Sequence, residues 1–260
     1  GQGMDFDDIR EYQPGDEVRH IDWNVTARLN QPFIKQYVEE RELTIMLMVD
    51  LSASGTFGSG LQTKHELAAE VAAVLAFAAQ RNNDKVGLTL FTERVEKYVA
   101  PAKGNRHVLR LVRDILEHTP DRRGGDLQHA LQHLQKTFRR RAVMIVLSDF
   151  LDPLPVSALQ QAQRRHDVIA VQITDPHEEA LPSLGRITME DAETGEVGEV
   201  TLRNEEELSA FSQHQYRAQE ELEQQLCGIA IDHIRLRTNE PYVPALSKFF
   251  RTRLERQRRV

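Results

Sequence analysis

The stretch LMVDLSAS, from Leu47 to Ser54, decides the fold. An apolar run ends there at Asp50, and Ser52 and Ser54 follow at alternate positions. A short apolar run that stops at a carboxylate is typical of a buried β-strand whose end faces a loop. One carboxylate and two hydroxyls in a single loop are hard oxygen ligands, the type that Mg²⁺ favours. The stretch therefore predicts a strand end that can bind a divalent cation if a second carboxylate approaches it.

Further apolar runs predict the remainder of a sheet around this strand. The first strand is the run Thr44–Val49, and the three further runs are Val86–Phe91, Ala142–Leu147 and Val168–Ile173. Runs that are apolar on both faces are typical of central parallel strands covered by helices. Helical apolar spacing fills the gaps, over His65–Arg81, Arg106–Glu117 and Leu127–Phe138. This alternation predicts an α/β fold, a doubly wound and mostly parallel sheet with helices on both faces.

The second carboxylate is predicted to be Asp149. It follows the third apolar run in VLSDF, so it is expected at the same edge of the sheet as Asp50. Ligands of doubly wound sheets bind at that edge, where the strand order reverses. A glycine-rich turn in RRGGDLQHAL leads to Asp126, either as a helix N-cap or as a further ligand. Spacing alone leaves both roles open, and it equally allows the two serines to cap the next helix.

The remaining segments flank this predicted sheet. Residues 1–42 are polar and irregular, with a turn at Pro14–Asp16, and predict an N-terminal extension packed on a main domain of residues 43–260. Within that domain we expect a hairpin at about 186–202 with Gly195 in its turn. A C-terminal helix is expected at about 241–258, docked through a stripe that includes Leu246 and Leu254.

Composition narrows the function classes. The chain has 260 residues, of which 40% are hydrophobic and 28% charged, and its net charge of −7 argues against nucleic acid as the main partner. A single cysteine, Cys227, excludes an internal disulfide and a cysteine-based zinc cluster. No apolar run reaches the roughly 20 residues of a membrane span, and the N-terminus lacks a signal-peptide pattern. These features predict a cytoplasmic protein. The abrupt start is compatible with a longer natural chain.

The motifs together resemble a known family. The DxSxS of Asp50, Ser52 and Ser54, with NNDKVGLTLF, GGDLQHAL and VLSDF, resembles a von Willebrand factor A domain. The chain is similar to its bacterial branch, the domain-of-unknown-function family 58, through REYQPGDEVRHIDWNVTARL, VEERE, TDPHEEALPSLG and DAETGE. The resemblance extends over nearly the whole chain and implies the same doubly wound fold.

The resemblance also implies a metal-ion-dependent adhesion site. In that site Asp50, Ser52, Ser54 and Asp149 would hold Mg²⁺, or else Mn²⁺ or Ca²⁺, and a carboxylate of another protein would complete the coordination. The family's threonine in a GTDL-like loop is replaced here by Gly125, which leaves a coordination position to water or to Asp126. Such proteins are thought to work with MoxR-type AAA+ ATPases, and the present chain has no GxxxxGK[ST] loop of its own.

Three functions follow as hypotheses. The leading one is a non-enzymatic protein-interaction module that binds a divalent cation and acts as adaptor or co-chaperone for a MoxR-type ATPase or its client. The second is a degenerate scaffold that binds its partner without metal, through the segment around Trp23, and the Gly125 departure motivates it. The third, a metal-dependent phosphohydrolase, depends only on clustered carboxylates, and the first loop lacks the DxDxT pattern of that chemistry.

Overall fold

The computed structural model describes residues 4–29, 31–39, 42–60, 62–180, 185–190, 196–202 and 205–258. Its contacts divide the chain into two compact units, Gly1–Glu42 and Leu43–Val260. That residues 1–42 pack on the main domain stays a prediction.

The first unit contains an antiparallel strand pair, β1 (Met4–Glu11) and β2 (Phe33–Glu39). A 3-10 turn at Val18–His20 and helix α1 (Trp23–Leu29) lie between the two strands in the chain. The extension expected to be irregular therefore contains more regular structure than its sequence indicates. Acidic residues interrupt the apolar alternation of MDFDDIRE, and the register shifts between Phe6 and Asp8. A local pattern cannot predict a pairing that the distant partner strand supplies.

The predicted turn at Pro14–Asp16 is present. Gly15 has a φ of 113°, a conformation that favours glycine. The Arg10 guanidinium donates to both oxygens of Asp16 at 2.7 and 2.8 Å, and the backbone N–H of Gln13 donates to the same carboxylate at 2.8 Å. This pair closes the turn within the first unit.

The strands of the second unit form a central sheet and a separate pair. They are β3 (Thr44–Asp50), β4 (Lys85–Phe91), β5 (Val95–Ala102), β6 (Val143–Ser148), β7 (Asp167–Thr174), β8 (Gly185–Glu190), β9 (Val197–Leu202) and β10 (Asp232–Arg237). The central sheet has the order β10-β7-β6-β3-β4-β5, and every neighbouring pair is parallel except β4 with β5. This confirms the predicted doubly wound, mostly parallel fold. Strand β8 pairs antiparallel with β9, and Gly195, expected in the turn between them, lies outside the described residues.

Seven helices are described in the second unit. They are α2 (Lys64–Arg81), α3 (Asn105–Glu117), α4 (Leu127–Thr137), α5 (Val156–Arg165), α6 (Pro176–Glu179), α7 (Glu205–Gly228) and α8 (Tyr242–Arg258). Leu47 and Val49 of β3 join the core layer that contains α2, α3 and α8 residues. Met46 and Met48 join the layer that contains α4, α5 and α7 residues. Because both faces of the strand are buried, its sequence is apolar without alternation.

Two details differ from the sequence-based expectations. Strand β5 was not predicted, because Glu96, Lys97 and Pro101 interrupt its apolar residues. Antiparallel pairing with β4 places it in the sheet. In α8, Leu246 is buried but Leu254 is 57% exposed, so Leu254 does not belong to the docking stripe. Arg253 takes the inward position instead, with only 11% of its side chain exposed, and pairs with Asp167 and Asp232.

Candidate functional site

The predicted carboxylates meet at the carboxyl edge of the sheet. Asp50 ends β3, and Asp149 directly follows β6, the parallel neighbour of β3. The chain continues from β3 to β4 on one side, whereas β6 and β7 lie on the other, so the strand order reverses here. In such folds this reversal opens a crevice for ligands.

Asp50 is fixed by hydrogen bonds to both of its oxygens. Its Oδ1 accepts from the backbone N–H of Ser52 at 2.9 Å, and its Oδ2 accepts from the Ser148 hydroxyl at 2.7 Å. The hydroxyls of Ser52 and Ser54 are 3.1 Å apart, and Ser52 is only 4% exposed. The first loop therefore brings one carboxylate and two hydroxyls together, as the sequence predicted.

Asp149 has a partner that the sequence did not reveal. Lys64, the first residue of α2, places its Nζ 2.7 Å from Asp149 Oδ2 and 2.5 Å from Glu178 Oε1. Only 1% of Lys64 is exposed. A lysine is almost never fully buried unless it is paired, because its ammonium loses its hydration. The two carboxylates compensate for that loss.

Lys64 and Glu178 are both positioned by helix caps. Thr63 and Glu66 form a capping box at the start of α2, and Asp175 forms another with Glu178 at the start of α6. Asp175 is itself fully buried and accepts from the backbone N–H of Ser59 at 2.9 Å and from the Thr238 hydroxyl at 2.6 Å. These bonds join the loop before α2, the start of α6 and the end of β10.

The electrostatics reflect an excess of negative charge in this cleft. Burial, and to a smaller extent the nearby Asp149 carboxylate, raise the pKa of Asp50 to about 6, against the opposing effect of the hydrogen bonds from Ser52 and Ser148. Burial alone would lower the pKa of Lys64, but Asp149 and Glu178 hold it above its usual value. Burial also raises the pKa of Glu178, although Lys64 opposes that effect. Two of these carboxylates, Asp149 and Glu178, contact the Lys64 ammonium, and Asp50 lies beside Asp149.

Gly125 lies beside the first loop, next to Ser52. A Cβ atom on Gly125 would be 3.4 Å from Ser52 Cβ and 3.6 Å from Ser52 Oγ, and 2.9 Å from Asp152 Oδ2. A threonine here would place its hydroxyl near the serine hydroxyls, where the resemblance implies it. Asp126 is exposed and caps α4, with its Oδ1 accepting from the His129 N–H at 2.7 Å. Its role as a further ligand stays a prediction.

The resulting cleft is narrow. Its lining includes Asp50, Ser52, Lys64, His65, Ser148 and Asp149, and its volume is about 10 Å³, on the scale of one water molecule. The His65 ring packs on Gly55 so closely that a Cβ there would lie 2.2 Å from His65 Cδ2. A larger residue at position 55 would therefore require the His65 ring to shift. Burial lowers the pKa of His65.

The donor set fits a hard divalent cation. The cleft offers carboxylate and hydroxyl oxygens, the ligands that Mg²⁺ and Mn²⁺ accept. Over the described ranges, no group of three or more His, Cys, Asp or Glu side chains is arranged to hold a metal. A site here would depend on serine hydroxyls and water in addition to Asp50 and Asp149. It would also have to accommodate the ammonium of Lys64, which already occupies one oxygen of Asp149.

Sequence reasoning missed Lys64, Glu178, Ser148 and Asp175. Two signals were present: QTKHELAAE places a lysine at the start of a helix after the DxSxS loop, and TDPHEE follows the strand β7. Neither signal indicates a contact, because Lys64 is 85 residues from Asp149 and 114 from Glu178.

Comparison with known proteins gives one family and several relatives. The family described as protein of unknown function DUF58 matches residues 8–221. The uncharacterized protein Rv1480 of Mycobacterium tuberculosis is 35% identical over 205 residues, which cover 78% of this chain and 65% of that protein. The present chain thus spans about two thirds of the length of that relative.

A solved structure shares the fold. The conserved hypothetical protein BatB from Bacteroides thetaiotaomicron matches with a TM-score of 0.53 and 15% identity, over 82% of this chain and 99% of that one. The SpRpn10 VWA domain matches with a TM-score of 0.43 and 13% identity, over 81% of this chain and 94% of that one. Among the helices described, none combines the length and the apolar character needed to cross a bilayer.

Proposed function

The chain belongs to the DUF58 family and has a von Willebrand A-like fold. From this premise we propose that it is a non-enzymatic protein-interaction module. The module would bind a divalent cation at the carboxyl edge of its sheet. Asp50, Ser52, Ser54 and Asp149 would hold the ion, which is Mg²⁺ or Mn²⁺. A carboxylate of a partner protein would complete its coordination. In this role the ion links two proteins, and no covalent bond of a substrate is broken.

The observation that carries this proposal is that carboxylate and hydroxyl oxygens converge at the carboxyl edge of the sheet. The Asp50 carboxylate is already oriented by Ser52 and Ser148, and the Ser52 and Ser54 hydroxyls lie side by side. Preorganised ligands lose little conformational entropy when an ion binds. The excess of carboxylates over ammonium groups also favours a cation.

Calorimetric titration with Mn²⁺ and Mg²⁺ tests the metal site. The parent protein is expected to bind one ion with a Kd at or below the millimolar range, and Asp50→Ala is expected to bind at least roughly tenfold more weakly, as is common when a metal's surroundings are altered. Asp121→Ala is a matched control, since it removes an exposed carboxylate that pairs with Arg94 outside the cleft. No binding by the parent at millimolar metal would refute the proposal.

For the partner, we propose a MoxR-type AAA+ ATPase or its client, with this chain as adaptor or co-chaperone. Support comes from the sequence resemblance and from the absence of a nucleotide-binding loop in this chain. The ATPase should co-purify with the protein in Mg²⁺ and be lost in excess EDTA or on Asp50→Ala. Retention in EDTA would contradict the metal-bridged version.

A second candidate function is a scaffold that binds its partner without metal. The specific observation in its favour is that the Lys64 ammonium already neutralises Asp149, at the position a metal would use. Trp23, which is 65% exposed at the start of α1, would then be the contact. This version requires that the partner be retained in EDTA and lost on Trp23→Ala.

A further inference from the structure

Lys64 is a permanent cation at the centre of the candidate site. Its ammonium bonds to Asp149 Oδ2 at 2.7 Å and to Glu178 Oε1 at 2.5 Å, and 1% of the residue is exposed. Asp149 is one of the two proposed carboxylate ligands. A metal ion and an ammonium both need the charge of this carboxylate, and two cations a few ångströms apart in a buried cleft repel each other strongly.

We propose that Lys64 is a built-in competitor of the divalent cation, so that the site exists in two states, one closed by lysine and one bound to metal. The inference rests on the proposed function, because it concerns the same site. In the first state Lys64 bridges Asp149 and Glu178. In the second, the metal takes Asp149, and Lys64 keeps Glu178 as its partner.

The structure gives Lys64 the features that such an exchange requires. Glu178 is held independently of Asp149, since its Oε2 accepts from the backbone N–H of Asp175 at 3.2 Å within the α6 capping box. The ammonium therefore has a fixed carboxylate to stay with when it leaves Asp149. Without metal, Lys64 compensates the charges of the buried Asp149 and the partly buried Glu178. Removing that compensation from a buried carboxylate is strongly destabilising.

The cleft also has little room for both cations. Its volume is about 10 Å³, and Lys64 and Asp149 both line it. An ion at Asp149 must therefore displace the ammonium from that carboxylate or share the carboxylate with it, and sharing weakens both bonds. Lys64 would thus set the metal affinity of the site.

Lys64→Met tests this inference by two measurements on the full chain. Calorimetry is expected to show Mn²⁺ binding at least tenfold tighter in the variant than in the parent. Thermal unfolding is expected to show a lower Tm for the variant without metal and a larger rise on adding Mn²⁺, because the ion supplies the charge that the lysine gave. A purely structural lysine would lower the Tm without this rescue by metal.

Lys97→Met is the matched control. Lys97 pairs with the buried Asp114 at 2.8 Å, outside the cleft. Its loss is expected to lower the Tm, with no change in Mn²⁺ affinity and no rescue by Mn²⁺. If Lys64→Met does not fold without metal, Lys64→Met/Glu178→Gln leaves one carboxylate fewer without a countercharge, and the same tighter binding is expected of it.

The outcomes separate this inference from the proposed function. Equal or weaker binding by a folded Lys64 variant, when the parent binds, overturns the competition and leaves the metal site standing. Binding by the variant alone supports the competition and overturns metal binding by the native chain. Absence of binding in both overturns both.

Discussion

Gly125 stands where the adhesion-site pattern of the resembled family has a threonine. It lies beside Ser52, and space for a larger side chain is limited by Asp152 Oδ2, 2.9 Å from a Cβ placed there. Asp152 is exposed, and its carboxylate would have to shift to admit a side chain at position 125. The φ angle of Gly125 is not in the positive region that favours glycine, so a larger residue there causes no backbone strain. A threonine at position 125 therefore requires the Asp152 carboxylate to shift.

Gly125→Thr should tighten Mn²⁺ binding by roughly tenfold. This is the lower end of the range by which substitutions around a metal site change metal affinity. In the proposed metal site, the added hydroxyl would lie near that of Ser52 and take a coordination position that water would otherwise fill. Gly125→Val has the same shape without the hydroxyl, and it should give no gain. Calorimetry on the three proteins measures the difference. Equal affinities of the threonine and valine variants would show that this hydroxyl does not reach the ion.

At the scale of the secondary-structure elements, the residue to consider is His166, which directly follows the last turn of helix α5. It is 2% exposed, and within the described part of the chain neither ring nitrogen has a hydrogen-bond partner. Its ring stacks on that of Phe138 at 6.0 Å between centroids. Burial lowers the pKa of His166, with a further contribution from Arg165. A neutral imidazole is therefore buried here without compensation for its polar atoms.

His166→Phe should raise the free energy of unfolding by about 1 kcal/mol at pH 7, because it removes unsatisfied buried nitrogens and keeps an aromatic ring against Phe138. Since the folded pKa lies below the unfolded one, the unfolded chain binds the proton first as the pH falls through about 6.5. The parent therefore loses stability in that range, and the variant should lose less. Urea unfolding at pH 7.5 and 5.5 measures both effects. A parent–variant difference that stays constant with pH would contradict this account.

The other elements follow from local signals to different degrees. Helix α2 was predicted from His65, one residue late, because its apolar spacing and its Thr63–Glu66 box are encoded within a few residues. Strand β5 was not predicted, because its antiparallel partner β4 decides its pairing. Leu254 was assigned to the wrong face of α8, since the sequence does not indicate that Arg253 pairs inward with two aspartates.

At the scale of the whole molecule, the chain divides into two units at residue 43. The central sheet, both core layers and the candidate cleft belong to residues 43–260. The first unit carries the Arg10–Asp16 pair and Trp23. The metal site and the alternative Trp23 contact therefore lie in different units, so they can be separated by experiment.

A chain that begins at Leu43 should fold cooperatively and bind Mn²⁺ within about threefold of the full chain, since its core is formed by its own residues. Circular dichroism during urea unfolding and calorimetry measure these properties. If the partner binds through the metal, the shortened chain should also retain it. Loss of cooperative unfolding would show that the second unit depends on residues 1–42.

The sequence by itself determined the doubly wound sheet and the meeting of Asp50 with Asp149. Uninterrupted apolar runs specify buried parallel strands, and the last residue of each such strand lies at one common edge. Only the tertiary structure decided what surrounds these carboxylates. Lys64 reaches Asp149 and Glu178 across 85 and 114 residues, and Gly125 approaches Ser52 from another loop. Contacts of this kind depend on how helices and loops pack around the sheet, and no local pattern of residues encodes them.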